Sequence, residues 1–251
     1  MSGHSKWSSI KHKKGAADAK RGQLFSKLSR AIIVAARDGG PDPDGNIALA
    51  NAVEKARANS MPKDNIERAI ARGTGAGPDG QAYEQIVYEG YGPSGVAVLV
   101  EALTDNRNRT ASEVRHAFSK HDGNLGTSGA VAWLFERRGI VLVDGDSADE
   151  DELMLAAAEG GADDVERDGS SLRVVCAPEH LSGVREAIEA AGIAVESADV
   201  TMLPKTTVAV EDEAAAKKVL RLMDTLEDND DVQDVYANFD IPERVLEAVA
   251  P

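Results

Sequence analysis

Residues 131–202 read VAWLFERRGIVLVDGDSADEDELMLAAAEGGADDVERDGSSLRVVCAPEHLSGVREAIEAAGIAVESADVTM, and the succession of periods in this stretch decides the fold. Val131–Glu136 and Ile140–Asp144 are apolar runs rich in β-branched residues and predict two strands. Ser147-Ala-Asp-Glu150 has the spacing of a capping box, with a hydroxyl for the N3 amide and a carboxylate reaching back. A helix therefore starts there and stops at Gly160-Gly161. Asp163–Arg167 and Leu172–Cys176 read as strands, Pro178 opens a helix that ends at Gly192, and Ala194–Thr201 reads as the closing strand. Strand, helix, two strands, helix, strand is the ferredoxin-like alternation.

Downstream the pattern gives strand Thr207–Val210, helix Asp212–Leu226 and strand Val232–Asn238, too little to cover a sheet. Upstream, strands Ala82–Glu89 and Gly95–Leu103 flank a Gly90–Gly95 turn. The box Thr110-Ala-Ser-Glu113 then opens a helix to about Lys120, with Val114, Ala117 and Phe118 inward. Joined, the two fragments form a second α+β sandwich interrupted by the first, which is more economical than two consecutive α/β domains. Residues before 80 have helical periods. Leu24, Phe25, Leu28, Ile32 and Ala35 make one stripe over Ala16–Arg37, and Leu49, Ala52, Val53 and Ala56 a second over Asn46–Asn59. A third helix runs from Ser60-Met61-Pro62 to Gly73, and Gly73–Gly80 reads as a linker. The expected fold class is α+β: an N-terminal three-helix domain (1–78) followed by two ferredoxin-like α+β domains. One of these is discontinuous (79–129 and 204–251), and the other (130–203) is inserted in it.

The chain has 251 residues, 42% hydrophobic and 28% charged, which excludes wholesale disorder. No stretch approaches the ~20 apolar residues of a membrane helix, so no membrane partner is expected. The opening residues lack the apolar run of a secretory signal, and a single cysteine, Cys176, suits a reducing cytoplasm, the expected location.

Charge is the first functional clue. Residues 1–37 hold nine Lys or Arg against one acid, Asp18, a net of +8. The rest of a chain whose total is −15 therefore carries −23. With a Debye length of about 8 Å, a polyanion at this end feels the local cations more than the distant acids. Lys6, Lys11, Lys13, Lys14, Lys20, Arg21, Lys27 and Arg30 are candidate phosphate contacts. Trp7 and His12, flat side chains among them, are candidate base contacts. The feature does not distinguish DNA from RNA.

Asp105, Asn106, Arg107 and Arg109 sit at a strand–helix junction, a second candidate contact region for phosphate or protein. A turn at Asp105-Asn106 with a cap at Thr110 explains most of the same residues. Tyr83, Tyr88 and Tyr91 admit both a stacking platform and an ordinary half-buried use in a sheet.

Catalytic patterns are missing. The run Gly73, Gly75, Gly77 trails a helix and precedes Pro78, the wrong context for a dinucleotide loop. No Walker loop, G-x-S-x-G elbow or HExxH is present, and His116 and His121 are badly spaced for one helix face. The acidic runs Asp149–Glu152 and Asp228–Asp231 suit a helix N-terminus and a polar turn, and Cys176 a buried strand. No catalytic residue, metal, cofactor or small-molecule substrate is expected. An enzyme built on the Asp105–Arg109 region ranks last.

Several motifs together resemble the YebC/PmpR family of probable transcriptional regulators. They are Gly3-His-Ser-Lys-Trp7, Ile10-Lys-His-Lys-Lys14, Asp18, Arg21, Phe25 and Lys27; then Tyr88-Glu-Gly-Tyr-Gly-Pro93 with Gly95, Leu103-Thr-Asp-Asn106, Asn108-Arg-Thr110 and Glu113-Val-Arg115; then Leu125-Gly126, Gly129, Val131, Trp133 and Phe135. His121-Asp-Gly123 and Ala130 depart from the usual residues. The resemblance spans the chain and implies three domains, one interrupting another, and a cytoplasmic, non-catalytic regulator acting through DNA. Some relatives, mitochondrial ones included, resemble translation factors working at the ribosome where proline-rich sequence slows synthesis. The expected partner is therefore DNA and/or ribosomal RNA.

Overall fold

The computed structural model describes residues 18–75, 83–168 and 171–249. Three helices come first: α1 (Asp18–Gly39), α2 (Ile47–Ala58) and α3 (Lys63–Gly73). Leu28, Ile32 and Ala36, spaced four apart on α1, meet Leu49, Val53 and Ala56 of α2 and Ile66 and Ala69 of α3. Leu24, expected on this stripe, is exposed, and Ala36 extends the stripe at the other end. Asn46 joins two helices: its Oδ1 accepts from the Leu49 amide (3.1 Å), while its Nδ2 donates to the carbonyls of Ala35 (2.8 Å) and Gly40 (2.9 Å). Gly73 ends α3 against α1 so closely that a Cβ there would lie 2.5 Å from the Ile33 carbonyl oxygen.

β1 (Glu84–Tyr91) and β2 (Ala97–Thr104) form an antiparallel hairpin, followed by α4 (Arg107–Lys120) and the short β3 (Asn124–Leu125). The chain then builds a second sheet from β4 (Phe135–Asp144), α5 (Glu150–Glu159), β5 (Ala162–Asp168), β6 (Ser171–Cys176), α6 (Leu181–Ala190) and β7 (Val195–Pro204). Its order is β5-β6-β4-β7, all antiparallel, with the two central strands first and third in its own chain order. That is the ferredoxin-like arrangement. Val141, Val143, Leu153, Leu172, Val174, Val184 and Ile188 fill the space under its helices.

The chain returns through β8 (Val208–Ala209), α7 (Glu213–Glu227), β9 (Val232–Ala237), β10 (Phe239–Asp240) and α8 (Glu243–Val249). β9 adds beside β2 to give the first sheet the order β3-β1-β2-β9, so two segments separated by the second sheet share one core. Phe118 of α4 and Leu222, Met223 and Leu226 of α7 pack there on Val98, Val100 and Val235. The expected strand Thr207–Val210 does not join this sheet, since β8 pairs in parallel with β10 alone. Helix α8, not anticipated, inserts Val245 and Leu246 into the same core.

Two helix starts differ from expectation. Asp149, rather than Ser147, caps α5, its carboxylate accepting from the amides of Asp151 (2.9 Å) and Glu152 (3.1 Å). Asn106 caps α4 through the Arg109 amide (3.1 Å), which leaves Thr110 inside the helix and buried. The expected strand Val131–Glu136 is also revised. Only Phe135 onward is extended, because the amides of Val131 and Ala132 both point at the Glu89 carboxylate (2.7 Å each) and are lost to a ladder. Gly129 donates to the same carboxylate at 2.6 Å. Glu89 is only 5% exposed. Burial pushes its pKa up, yet the three amides outweigh this and hold it below the usual glutamate range. Glu89→Gln turns an NH2 donor toward these amides and is expected to cost about 2 kcal/mol in urea unfolding. With a depressed folded pKa, the wild-type advantage is present at neutral pH and fades as the carboxylate protonates in acid. Equal unfolding midpoints at neutral pH would count against this role.

Candidate nucleic-acid interface

Lys6, Trp7, Lys11, His12, Lys13 and Lys14 lie outside the described residues, as does most of the expected linker. Lys20 stands at the start of α1, but its side chain is also outside the description. The remaining basic residues of α1 are placed. Arg21 is exposed, its guanidinium 5.5 Å from the centroid of the Phe25 ring.

Gln23, Lys27 and Arg30 follow one another at helical spacing on one flank of α1, and that flank faces the acidic turn between α7 and β9. Gln23 Nε2 donates to the Asp228 carbonyl (2.7 Å) and to Asp230 Oδ1 (3.2 Å). Lys27 donates to the Glu227 carbonyl and Arg30 to that of Asp230. The Arg30 guanidinium also lies 3.3 Å from the Asp231 carboxylate and 5.9 Å from the centroid of Tyr83. Burial draws the Lys27 ammonium below the ordinary lysine range, outweighing Glu227, Asp234, Asp228 and Asp230 around it. Lys27 and Arg30, read from sequence as phosphate contacts, are thus engaged by carbonyls of the acidic turn and, for Arg30, by the Asp231 carboxylate.

Asp231 is the centre of this junction. It is 3% exposed and accepts from the hydroxyls of Thr104 (3.1 Å) and Thr110 (2.7 Å) and from Arg109 (2.7 Å). Its burial raises the pKa, but the hydrogen bonds from Arg109, Thr110 and Thr104 prevail and keep it below the usual aspartate range. The second candidate region is drawn into the same network. Arg109 also binds Asp105 (2.9 Å), and Asn106 is spent on its cap. Arg107 is exposed.

The three tyrosines do not form one platform. Tyr83 faces Arg30 and Tyr88 packs at the edge of the first core, while Tyr91 reaches the Ala130 carbonyl. The Tyr91 hydroxyl (3.1 Å) and Trp133 Nε1 (3.2 Å) donate to the same carbonyl, that of Ala130, and Trp133 remains 65% exposed. Among the described residues no His, Cys, Asp and Glu side chains group as a metal would require, and no helix is long and apolar enough to cross a membrane.

The N-terminal-domain model of TACO1/YebC proteins matches residues 5–76, and the model of their second and third domain matches residues 83–239. The chain belongs to the TACO1/YebC family. Among its TACO1/YebC relatives, a protein of Rubrobacter xylanophilus is 62% identical over the whole of both chains. One of Natranaerobius thermophilus is 57% identical over 98% of this chain and 99% of its own. Both are named probable transcriptional regulatory protein. The crystal structure of a conserved hypothetical protein from Aquifex aeolicus is 51% identical. It superposes with a TM-score of 0.79 over 90% of this TACO1/YebC chain and 93% of that one.

Sequence reasoning overlooked Gln23, Glu89, Trp133 and Asp231 as working residues. Glu89 carried a signal: it alternates with Val87 and Tyr91 on a strand face where a carboxylate needs a partner. Asp231 carried none, since three other polar residues precede it and its partners Thr104 and Thr110 are more than 120 positions away.

Proposed function

We propose that this protein is a non-enzymatic regulator of gene expression that holds DNA through its basic amino-terminal segment. The observation that carries this reading is the net +8 of residues 1–37 on a chain of net −15. While Lys27 and Arg30 are engaged at the acidic turn, the first phosphate contacts fall to Lys6, Lys11, Lys13, Lys14, Lys20 and Arg21, with Trp7 and His12 for stacking. The acidic α+β body repels polyanions elsewhere and so directs them to this segment. The naming of the relatives supports a transcriptional target. A second reading, structured RNA at the ribosome, is favoured by Trp7 and His12, because flat side chains stack best on unpaired bases. Crosslinking in living cells followed by sequencing of the attached nucleic acid separates the two. Enrichment of promoter DNA is the expected result. Recovery of ribosomal RNA alone would move the target to the ribosome, and recovery of neither would end the proposal.

A further inference from the structure

The hydrophobic cluster of the three helices is built from residues 25–70, and the clusters of the two sheets draw on other residues. Polar contacts tie the helices to the sheets. Besides the Gln23–Lys27–Arg30 flank, they include Lys55 with Asp234 (3.3 Å), Arg185 of α6 with Glu54 (3.0 Å) and Arg37 with the Tyr83 carbonyl (3.1 Å). Exposed ion pairs of this kind are individually weak and screened by salt, and modules joined by polar contacts move relative to one another by default.

What α1 grips has the chemistry of a phosphate backbone. The carbonyl oxygens of Glu227, Asp228 and Asp230 lie at or just beyond the negative end of α7, with the carboxylates of Asp230 and Asp231 beside them. The Lys27 side chain is already half-buried against the Glu227 carbonyl, so exchanging the oxygens of this turn for those of a phosphate adds only part of the usual desolvation. We propose that the 227–231 turn is a built-in phosphate mimic. It occupies Lys27 and Arg30 while no nucleic acid is bound, and a nucleic-acid backbone displaces it, releasing the helices from the first sheet. The inference rests on the reading that the basic segment binds nucleic acid, and adds that the same segment is internally latched. A latch of this kind lowers apparent affinity by the fraction of molecules that are open.

Gln23→Cys with Asp230→Cys places two thiols across the latch, and the native Cys176 is buried. Joining them with a short bismaleimide in the full chain and titrating with a duplex DNA oligonucleotide at several salt concentrations tests the idea. The joined protein is expected to bind about tenfold more weakly than the unjoined one. Its slope of log K against log salt should be shallower by about 1.8, since two cations are withheld. In the otherwise native chain, Asp228→Asn with Asp230→Asn weakens the mimic and is expected to tighten binding about threefold. Equal affinity and slope in both forms, tighter binding when joined, or no gain from the Asn pair overturns the latch and leaves the nucleic-acid reading standing. No binding of DNA by the unjoined protein overturns both.

Discussion

Asp231→Ala is expected to lower the unfolding free energy by about 3 kcal/mol, the cost typical of breaking one side of a buried ion pair. The substitution takes the acceptor from the buried Thr104 hydroxyl, leaves Thr110 only the Asn106 carbonyl and Thr104 as partners, and removes the carboxylate shared by Arg109 and Arg30. Arg109 is part-exposed and recovers some hydration, which keeps the cost at the lower end of the range. Asp231→Asn keeps the shape and one acceptor, and about half of that loss is expected. The pH dependence follows from the depressed carboxyl. Its stabilisation is fully present above the unfolded value of about 3.9 and is lost as pH falls through the lower folded value, so wild type and variant converge in strong acid. Urea unfolding of the full chain at pH 7 and at successively lower pH measures this. Coincident curves at pH 7 would mean that the junction contributes nothing.

The second large effect concerns function. Replacing Lys11, Lys13 and Lys14 together by Glu converts three cations into three anions within the +8 segment. Binding to nucleic acid is expected to fall a hundredfold or more at low salt, about the scale set by losing several phosphate contacts. Stability is expected to stay close to wild type, since among the described residues the hydrophobic clusters are assembled from residues 25 onward. The contrast between a folded protein and a lost interaction is the informative part. A triple variant that unfolds with the wild type and still binds like it would remove these lysines from the interface.

Most of the fold was legible because it rests on local periodicity. The four-residue spacing of Leu28 and Ile32 and the β-branched runs of Ile140–Val143 and Val174–Val175 encode element type within a short window. The interrupted sheet was inferred by elimination, since neither fragment covers its apolar faces alone, and the pairing of β9 with β2 resolves that deficit. Element ends were less legible. Thr110 and Ser147 looked like caps, yet Asn106 and Asp149 cap the helices, because Asn, Asp, Ser and Thr are nearly equivalent at this position and several stand within a few residues of each helix start. Least legible was the traffic between distant acids and bases. Lys27 and Arg30 resemble any surface cations on a basic helix until the turn 200 positions away is brought against them. A charge pattern therefore announces a polyanion site while saying little about which cations stay available to it.

The most direct test of the central claim is the salt dependence of nucleic-acid affinity for the full chain and for a variant carrying Lys11→Gln, Lys13→Gln and Lys14→Gln. If these side chains neutralise duplex phosphates, the wild-type slope of log K against log salt should be steep, and the variant's shallower by about 2.7. Identical slopes and affinities for the two proteins would contradict the claim that the amino-terminal lysines hold the nucleic acid.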